Sequence, residues 1–367
     1  MKKLLKQKRN LILLCWPVGF LMYILAKNSS YMAEHVFARG IYVVYGHVMS
    51  FLNGLLPFSV AEWLLILFAL ALCAFPGVTF YRVVRSKEKA VTLVDSLRLL
   101  LMGLGIVFLW FMIGAGTNYY RYEFSTFSGL EIKKSTEDEL YSLCKELIIK
   151  TNEARAELGV SDDEPFVSSL TDSERFEECR KAMYALAEKY DVLEGYYPKA
   201  KAVLFSRVLS EFNITGVYFP WTVEANVNVD IPDYTKAETT CHELSHLRGF
   251  MREDEANFIG YLACVNSDSA ELRYSGYMLA LVHVGNKLYE TAKDRYMELR
   301  NLYGRGVNLD FVENSRYWAQ FKDTVLSTAG EKMNDTYLKI NSVEDGTRSY
   351  GRMVDLLLAE WRMKSNS

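Results

Sequence analysis

The sequence predicts a mostly α-helical α+β protein in which three N-terminal transmembrane helices precede an outer domain with a small sheet. The first 117 residues contain long apolar runs with few charges, whereas residues 118–367 have the mixed composition of a globular domain. A domain of roughly 250 residues can bury its own core. Helical periodicity dominates this second part, and one segment rich in β-branched and aromatic residues is typical of a strand.

Three N-terminal segments are long and apolar enough to cross a bilayer, at about 11–26, about 61–80 and about 97–116. Each comes near the roughly 20 residues that a helix needs to span the hydrocarbon core. The first follows the basic stretch MKKLLKQKRN but lacks a good small-residue cleavage pattern, so we interpret it as an uncleaved anchor. Residues 1–117 are therefore predicted to form a membrane domain and residues 118–367 an outer domain.

A further apolar segment, at about 41–57, is predicted to lie along the membrane surface. Apolar residues recur at helical spacing on one face, and small or polar residues occupy the other. The apolar set is Tyr45, Val48, Leu52 and Leu55, and the other set is Gly46, His47, Ser50, Asn53 and Gly54. This pattern is typical of an amphipathic helix in the interface.

Basic residues predict the orientation of the chain in the membrane. They cluster before the first span and between the last two: Lys2, Lys3, Lys6, Lys8 and Arg9, then Arg82, Arg85, Lys87, Lys89 and Arg98. The positive-inside rule places both clusters in the cytoplasm, which requires two spans between them. The outer domain is then extracytoplasmic.

Charge and cysteine content exclude some classes of function. The net charge is −3 and no dense basic patch lies outside the segments that flank the spans, so we expect no nucleic-acid partner. The six cysteines show neither CxxC pairs nor zinc-ribbon spacing. The four in the outer domain are open to two interpretations, disulfides or reduced buried thiols.

The outer domain divides into helices around one predicted strand. Helices are predicted at about 135–159, where Ser135 or Thr136 is the cap and Glu139 completes a capping box, and at about 173–190. A strand is predicted over 214–229, with Pro220 marking an edge or a bulge. Further helices are predicted from about 236 to 300 with a break near Gly249, then at about 311–328 and 350–363.

The stretch HELSH, residues 242–246, carries the chemistry of the chain. In a helix His242 and His246 lie one turn apart, so two imidazoles can bind one metal while Glu243 projects beside them. Two imidazoles and one carboxylate suit Zn²⁺ with an open fourth position. The sequence therefore predicts a zinc site in which Glu243 is the general base that accepts a proton from an activated water.

The third ligand is predicted to come from the acidic stretch EDEAN that follows. Glu253 is favoured, because Asn257 lies one turn further along the same face and can orient a ligand. Glu255 stays open as an alternative, and Asp254 is less favoured. Only six residues separate His246 from Glu253, so the chain must turn sharply near Gly249, which offers a left-handed stop.

HELSH followed by EDEAN resembles the glutamate zincins, whose third ligand opens an ExxxD or ExxxN stretch on the next helix. Membrane-bound members include the HtpX-like and CAAX prenyl proteases and the β-lactam-sensing antirepressor metalloproteases. The chain is also similar over nearly its whole length to a family of uncharacterised bacterial membrane proteins known as a domain of unknown function. This similarity is carried by LPFSV at 56–60, TNYYR at 117–121, GVYFPWTVEANVN at 216–228, and the tail from YLK to SYGRMVDLLL.

The resemblance implies a zincin-like (gluzincin) metalloprotease domain on the outer side of a bacterial cytoplasmic membrane. Its substrate would be a peptide or protein, including cell-envelope material. The alternative is a sensor or scaffold in which zinc only ties two helices together, although a purely structural zinc would not need Glu243. Several residues are candidates to stabilise an oxyanion, with none preferred: His283, Arg273, Tyr274, Tyr277, Tyr350 and Arg352.

Overall fold

The computed structural model describes residues 8–340 and 350–365. The structure is 75% helical, and its described part contains one three-stranded sheet and three long apolar N-terminal helices. The predicted mostly α-helical α+β class with N-terminal transmembrane helices is thereby confirmed.

The three candidate spans are Lys8–Asn28, Val60–Arg85 and Lys89–Gly114, and each is longer than predicted. The first begins as a 3₁₀ helix over Lys8–Leu14 and continues as an α-helix over Cys15–Asn28. All three are long and apolar enough to cross a membrane, which indicates a membrane protein.

Arginines from all three spans meet one carboxylate at the same end of the helices. Asp95 in the third span lies 2.6 Å from Arg9 Nη2 and 3.3 Å from Arg82 Nη2, and it also pairs with Arg98. Arg9 from the first basic cluster and Arg82 and Arg98 from the second therefore lie at one end of the three apolar helices. This arrangement agrees with an even number of spans between them.

The first two spans are joined by Ser30–Met32, a π-helix over Ala33–Tyr42, and the helix Val43–Gly54, which we call the interface helix. The predicted polar face of the interface helix packs on the protein, where Ser50 is 0% and Asn53 is 8% exposed. Its apolar face points outward, and Val48, Leu52 and Leu55 are more than half exposed. This is the orientation expected of a helix that lies on a bilayer.

The part of the chain after the third span, predicted to be the outer domain, is built mainly from helices. In chain order these are Gly116–Tyr120 (3₁₀), Phe124–Ser128, Glu137–Glu157, Asp172–Lys189, Asp191–Leu193 (3₁₀), Ser206–Glu211, Asp233–His246, Glu253–Val265, Ala270–Thr291, Lys293–Leu299, Arg300–Leu302 (3₁₀), Arg305–Ala319, Val325–Ile340 and Tyr350–Ser365. The capping box of Thr136 and Glu139 is present as predicted. The helix predicted at about 311–328 instead ends at Ala319, and another begins at Val325.

The sheet corrects the prediction of one strand over 214–229. The strands are Lys201–Ala202, Gly216–Phe219 and Glu224–Val227; the last lies between the others, parallel to the first and antiparallel to the second. Gly216–Phe219 and Glu224–Val227 form a hairpin, in which Gly216 is opposite Val227 and Phe219 is opposite Glu224. Pro220 therefore lies in the turn, where Val223 takes a φ of 54°.

Residues on both sides of the predicted boundary at 117/118 contact each other through this hairpin. The carboxylate of Glu224 accepts hydrogen bonds from the backbone N–H groups of Val60 and Ala61, at 3.1 and 2.8 Å, where the second span begins. The side chain of Asn53 donates to the carbonyl of Thr222 at 2.8 Å. The hairpin is thus attached to the interface helix and to the second span.

Candidate metal centre

Two consecutive helices hold the predicted ligands. The first site helix is Asp233–His246, and the second site helix is Glu253–Val265. Gly249 lies in the turn between them with a φ of 82°, the left-handed conformation that the sequence predicts. Gly260 lets the helices approach closely, because a Cβ atom there would be only 3.0 Å from the backbone nitrogen of His242.

The helix pair brings together one ligand atom from each of His242, His246 and Glu253. The two Nε2 atoms are 3.1 Å apart, and the Glu253 carboxylate lies 3.2 Å from His242 Nε2 and 3.9 Å from His246 Nε2. Ligands about 2.0–2.1 Å from a tetrahedral zinc are roughly 3.3 Å from one another. The three side chains therefore fit a single Zn²⁺.

The other ring nitrogen of each histidine is held by a hydrogen-bond acceptor. His242 Nδ1 donates to the side-chain oxygen of Asn257 at 2.7 Å, and His246 Nδ1 donates to the carbonyl of Phe250 at 2.6 Å. These bonds place the hydrogens on Nδ1 and leave both Nε2 lone pairs for a metal. Asn257 lies where the sequence prediction requires it.

The other two acids of the EDEAN stretch point away from the histidines. Glu255 is 3% exposed and accepts hydrogen bonds from the backbone of Phe124 and from Arg252, at 2.6 and 2.9 Å. Asp254 faces Arg352, whose Nε lies 3.6 Å from its carboxylate. Among the described residues, His242, His246 and Glu253 are the group whose geometry suits a metal ion.

Glu243 is buried between the first site helix and the hairpin. It is 4% exposed, and its Oε2 atom has no hydrogen-bond partner among the described residues. Gly216 makes room for it, since a Cβ atom there would lie 2.4 Å from Oε1. Burial raises the pKa of Glu243 to about 8; His242 opposes this shift, and the charge of Glu253 adds to it.

The two histidines have different proton affinities when no metal is bound. Burial disfavours the charged form of His242, but its hydrogen bond to Glu253 and the nearby carboxylates outweigh burial and raise its pKa to about 9. Burial and the charge of His242 lower the pKa of His246 to about 4. At neutral pH the metal-free pair therefore carries one positive charge, on His242, while His246 is neutral.

Most candidates for an oxyanion donor have other partners. The Tyr274 hydroxyl donates to Asp310 at 2.6 Å, and Arg273 pairs with Glu157. The side chain of Tyr350 lies outside the described residues. Burial lowers the pKa of His283 to about 4, and the nearby charge of His242 adds to this shift. All six cysteines are described and are free thiols.

Sequence reasoning missed the tyrosines that support the end of the first site helix. The Tyr42 hydroxyl donates to the backbone carbonyl of His246 at 3.0 Å and lies 3.0 Å from the Tyr218 hydroxyl. Tyr218 donates in turn to the carbonyl of Gly114, at the end of the third span. Tyr42 precedes His246 by 204 residues, so no local pattern could reveal this contact.

Comparison with known proteins gives a family but no function. No curated protein and no solved structure matches the chain. Residues 37–358 match the family described as "Protein of unknown function (DUF3810)", and this match includes the interface helix, two of the spans, the hairpin and both site helices. The chain is therefore a member of the DUF3810 family.

Proposed function

We propose that this protein is a membrane-anchored zinc metallohydrolase, and specifically a peptidase, in which His242, His246 and Glu253 bind one Zn²⁺. The carrying observation is the convergence of three metal-ligating atoms beside Glu243, a buried carboxylate with an unpaired oxygen. In a purely structural site, a buried carboxylate oxygen without a hydrogen-bond partner would only cost free energy. In a general base, the same oxygen is the atom that accepts the proton.

The residues of the centre have distinct roles in the proposed reaction. When bound, zinc lowers the pKa of a coordinated water to about 7. Glu243 takes a proton from the attacking water and delivers it to the leaving amine. Asn257 and the Phe250 carbonyl keep the two imidazoles oriented throughout.

The hairpin supports a peptide as the substrate. Gly216–Phe219 is an outer strand of the described sheet, and its first residue contacts Glu243. The backbone of Tyr218 also hydrogen-bonds to Glu243, which lowers the pKa of that carboxyl. An extended polypeptide can add to such an edge by main-chain hydrogen bonds, which places a peptide group beside the base.

The membrane supports a substrate close to the bilayer, in a protein or in the cell envelope. Tyr218 contacts Gly114 at the end of the third span, opposite the end where arginines surround Asp95. If the basic end is cytoplasmic, the metal centre lies outside the bacterial cytoplasmic membrane.

The first test measures zinc in the purified full-length protein by elemental mass spectrometry after dialysis. We expect about one zinc per chain in the wild type and a loss in His246→Ala and Glu253→Ala. Glu255→Gln and His35→Ala are matched controls that should keep the metal. A folded wild type that takes up no zinc, or a Glu255 variant that loses it while the Glu253 variant does not, would contradict the assignment.

A further inference from the structure

A cavity separate from the candidate metal centre lies between the interface helix and the part of the chain after the third span. Its volume is about 220 Å³, and its walls include Arg39, His47, Arg121 and Arg248. Asp191 and Glu194, both exposed, also line it. Three arginines and two carboxylates thus face one polar space that the metal centre does not use.

Arg248 is the least compensated of these charges. Its guanidinium donates to the backbone carbonyls of Tyr196 and Glu194, at 2.9 and 3.3 Å, and lies 4.8 Å from the centre of the Tyr197 ring. Among the described residues it forms no ion pair, and its Nε has no hydrogen-bond partner. A half-buried arginine without a counter-charge favours an anion beside it.

Arg39 and Arg121 share a single carboxylate behind the cavity. Glu34 is 1% exposed and pairs with Arg121 through two hydrogen bonds of 2.9 Å and with Arg39 at 2.8 Å. The Arg39 side chain is 49% exposed, so part of its guanidinium is free to meet a ligand. One carboxylate compensates one of these two arginines, which leaves positive charge on this wall.

The cavity lies beside the exposed apolar face of the interface helix, which favours a lipid headgroup as the source of an anion. Val43 lines the cavity, and the neighbouring apolar residues Val44 and Val48 of the interface helix are 66% and 51% exposed. A helix with this face buried in the acyl boundary holds the cavity at the level of the lipid headgroups. Arginine and phosphate also form bidentate hydrogen bonds.

We propose that this cavity binds the headgroup of one bilayer phospholipid that carries both a phosphate and a primary amine. The phosphate lies between Arg39 and Arg248, and the amine faces Asp191 and Glu194. This assignment does not depend on the proposed peptidase activity. It does connect the bilayer to the first site helix, because Arg248 follows His246 by two residues. The carbonyl of Arg248 also accepts a hydrogen bond of 2.7 Å from Arg121.

The test uses the full-length protein, delipidated in a mild detergent and examined by native mass spectrometry. It is titrated with dihexanoyl phosphatidylethanolamine, dihexanoyl phosphatidylglycerol and inorganic phosphate in separate experiments. We expect one phosphatidylethanolamine per chain, with at least tenfold weaker binding of phosphatidylglycerol. Inorganic phosphate that binds as tightly as the lipid would show a free-anion site and overturn the proposal.

Variants then assign the two halves of the headgroup. Arg248→Gln should weaken phosphatidylethanolamine binding at least tenfold, whereas the double variant Asp191→Asn with Glu194→Gln should bind both lipids equally. Arg207→Gln is the matched control, because this exposed arginine stacks 4.4 Å from the Phe321 ring, away from the cavity. Unchanged lipid binding in Arg248→Gln would overturn the proposal. If that variant fails to fold by circular dichroism, Arg39→Gln provides the same test at a more exposed position.

Discussion

Glu224 and Glu243 are two buried carboxylates that contact the same hairpin, and their surroundings differ sharply. Glu224 is 2% exposed and accepts four hydrogen bonds, from Val60, Ala61, Thr222 and Lys201. Glu243 is 4% exposed, and one of its oxygens has no hydrogen-bond partner within residues 8–340 and 350–365. A buried carboxylate whose oxygens all accept hydrogen bonds stabilises a structure, whereas one with an unpartnered oxygen can accept a proton.

The difference has a cause in the local backbone. Glu224 faces the N-terminus of the second span. Two N–H groups there have no partner within the helix, and they and the helix dipole attract a carboxylate. Glu243 is buried against Gly216, and this burial raises its pKa to about 8, with the charges of Glu253 and Glu238 adding to the shift. The same residue type therefore accepts a full set of hydrogen bonds in one place and, among the described residues, keeps an unpartnered oxygen in the other.

The largest effect is expected from Glu243→Gln. It should slow hydrolysis of a library of unstructured peptides by about 10²–10⁴-fold, or about 3–5 kcal/mol, because the general base is lost. Zinc content should not change. Mass spectrometry of the peptide products measures the rate, with Glu255→Gln as the control that should stay near the wild-type rate. Equal rates in Glu243→Gln and the wild type would favour a sensor or scaffold over an enzyme.

Glu224→Gln should mainly affect stability. It leaves the buried ammonium of Lys201 without its carboxylate, so the free energy of unfolding should fall by about 3–5 kcal/mol. Chemical denaturation in detergent, followed by circular dichroism, measures this change. The double variant Lys201→Met with Glu224→Gln removes both charges and should recover part of the loss. A single variant as stable as the wild type would show that the ion pair contributes nothing.

Asn257→Ala should weaken zinc binding by about 10–100-fold without removing a ligand, because His242 loses the acceptor that orients it. Competition with a chromophoric chelator measures this affinity. Asn257→Asp keeps an acceptor at the same place and should bind zinc nearly as well as the wild type. An equal loss in both variants would argue that Asn257 acts through packing instead.

Zinc affinity should rise with pH by up to about tenfold per unit below pH 9, because His242 must release its proton. Calorimetric titrations in buffers of different ionisation enthalpy count this proton. The free energy of unfolding of the metal-free protein should instead fall as the pH rises. The pKa of His242 in the folded protein, about 9, exceeds the ordinary histidine value of 6.5, so the stabilising contribution is complete below pH 6.5 and is lost as the pH rises through 9. Zinc binding without proton release at pH 7 would contradict this assignment.

The sequence could predict those parts of the centre that depend on local spacing. His242 and His246 are one helical turn apart, and Gly249 provides the left-handed stop after them. The preference for Glu253 over Glu255 came from Asn257 one turn further on, and the path of the turn adds a second reason, because it directs Glu255 to the backbone of Phe124. That path depends on tertiary contacts and not on helical periodicity.

The hairpin and its attachments could not be predicted, for two physical reasons. Its turn contains Val223 at a φ of 54°, a conformation that β-branched residues rarely adopt, so the usual glycine or asparagine signal is missing. Its partners Asn53 and Val60 are more than 160 residues away in sequence, as the bonds to Thr222 and Glu224 show. Contacts at such separation leave no periodic pattern in a single chain.

The hydrogen bond from Tyr42 to the His246 carbonyl bears on what happens if the outer domain is cut from its anchor. A fragment released by cleavage near Asn118 loses Tyr42. It also loses the backbone N–H groups of Val60 and Ala61, which donate hydrogen bonds to Glu224. The end of the first site helix then lacks its tyrosine partner, and Glu224 keeps only Thr222 and Lys201 of its four donors. We expect release of this fragment from the membrane to inactivate the protein, so that any activity is confined to the membrane in which the chain is anchored.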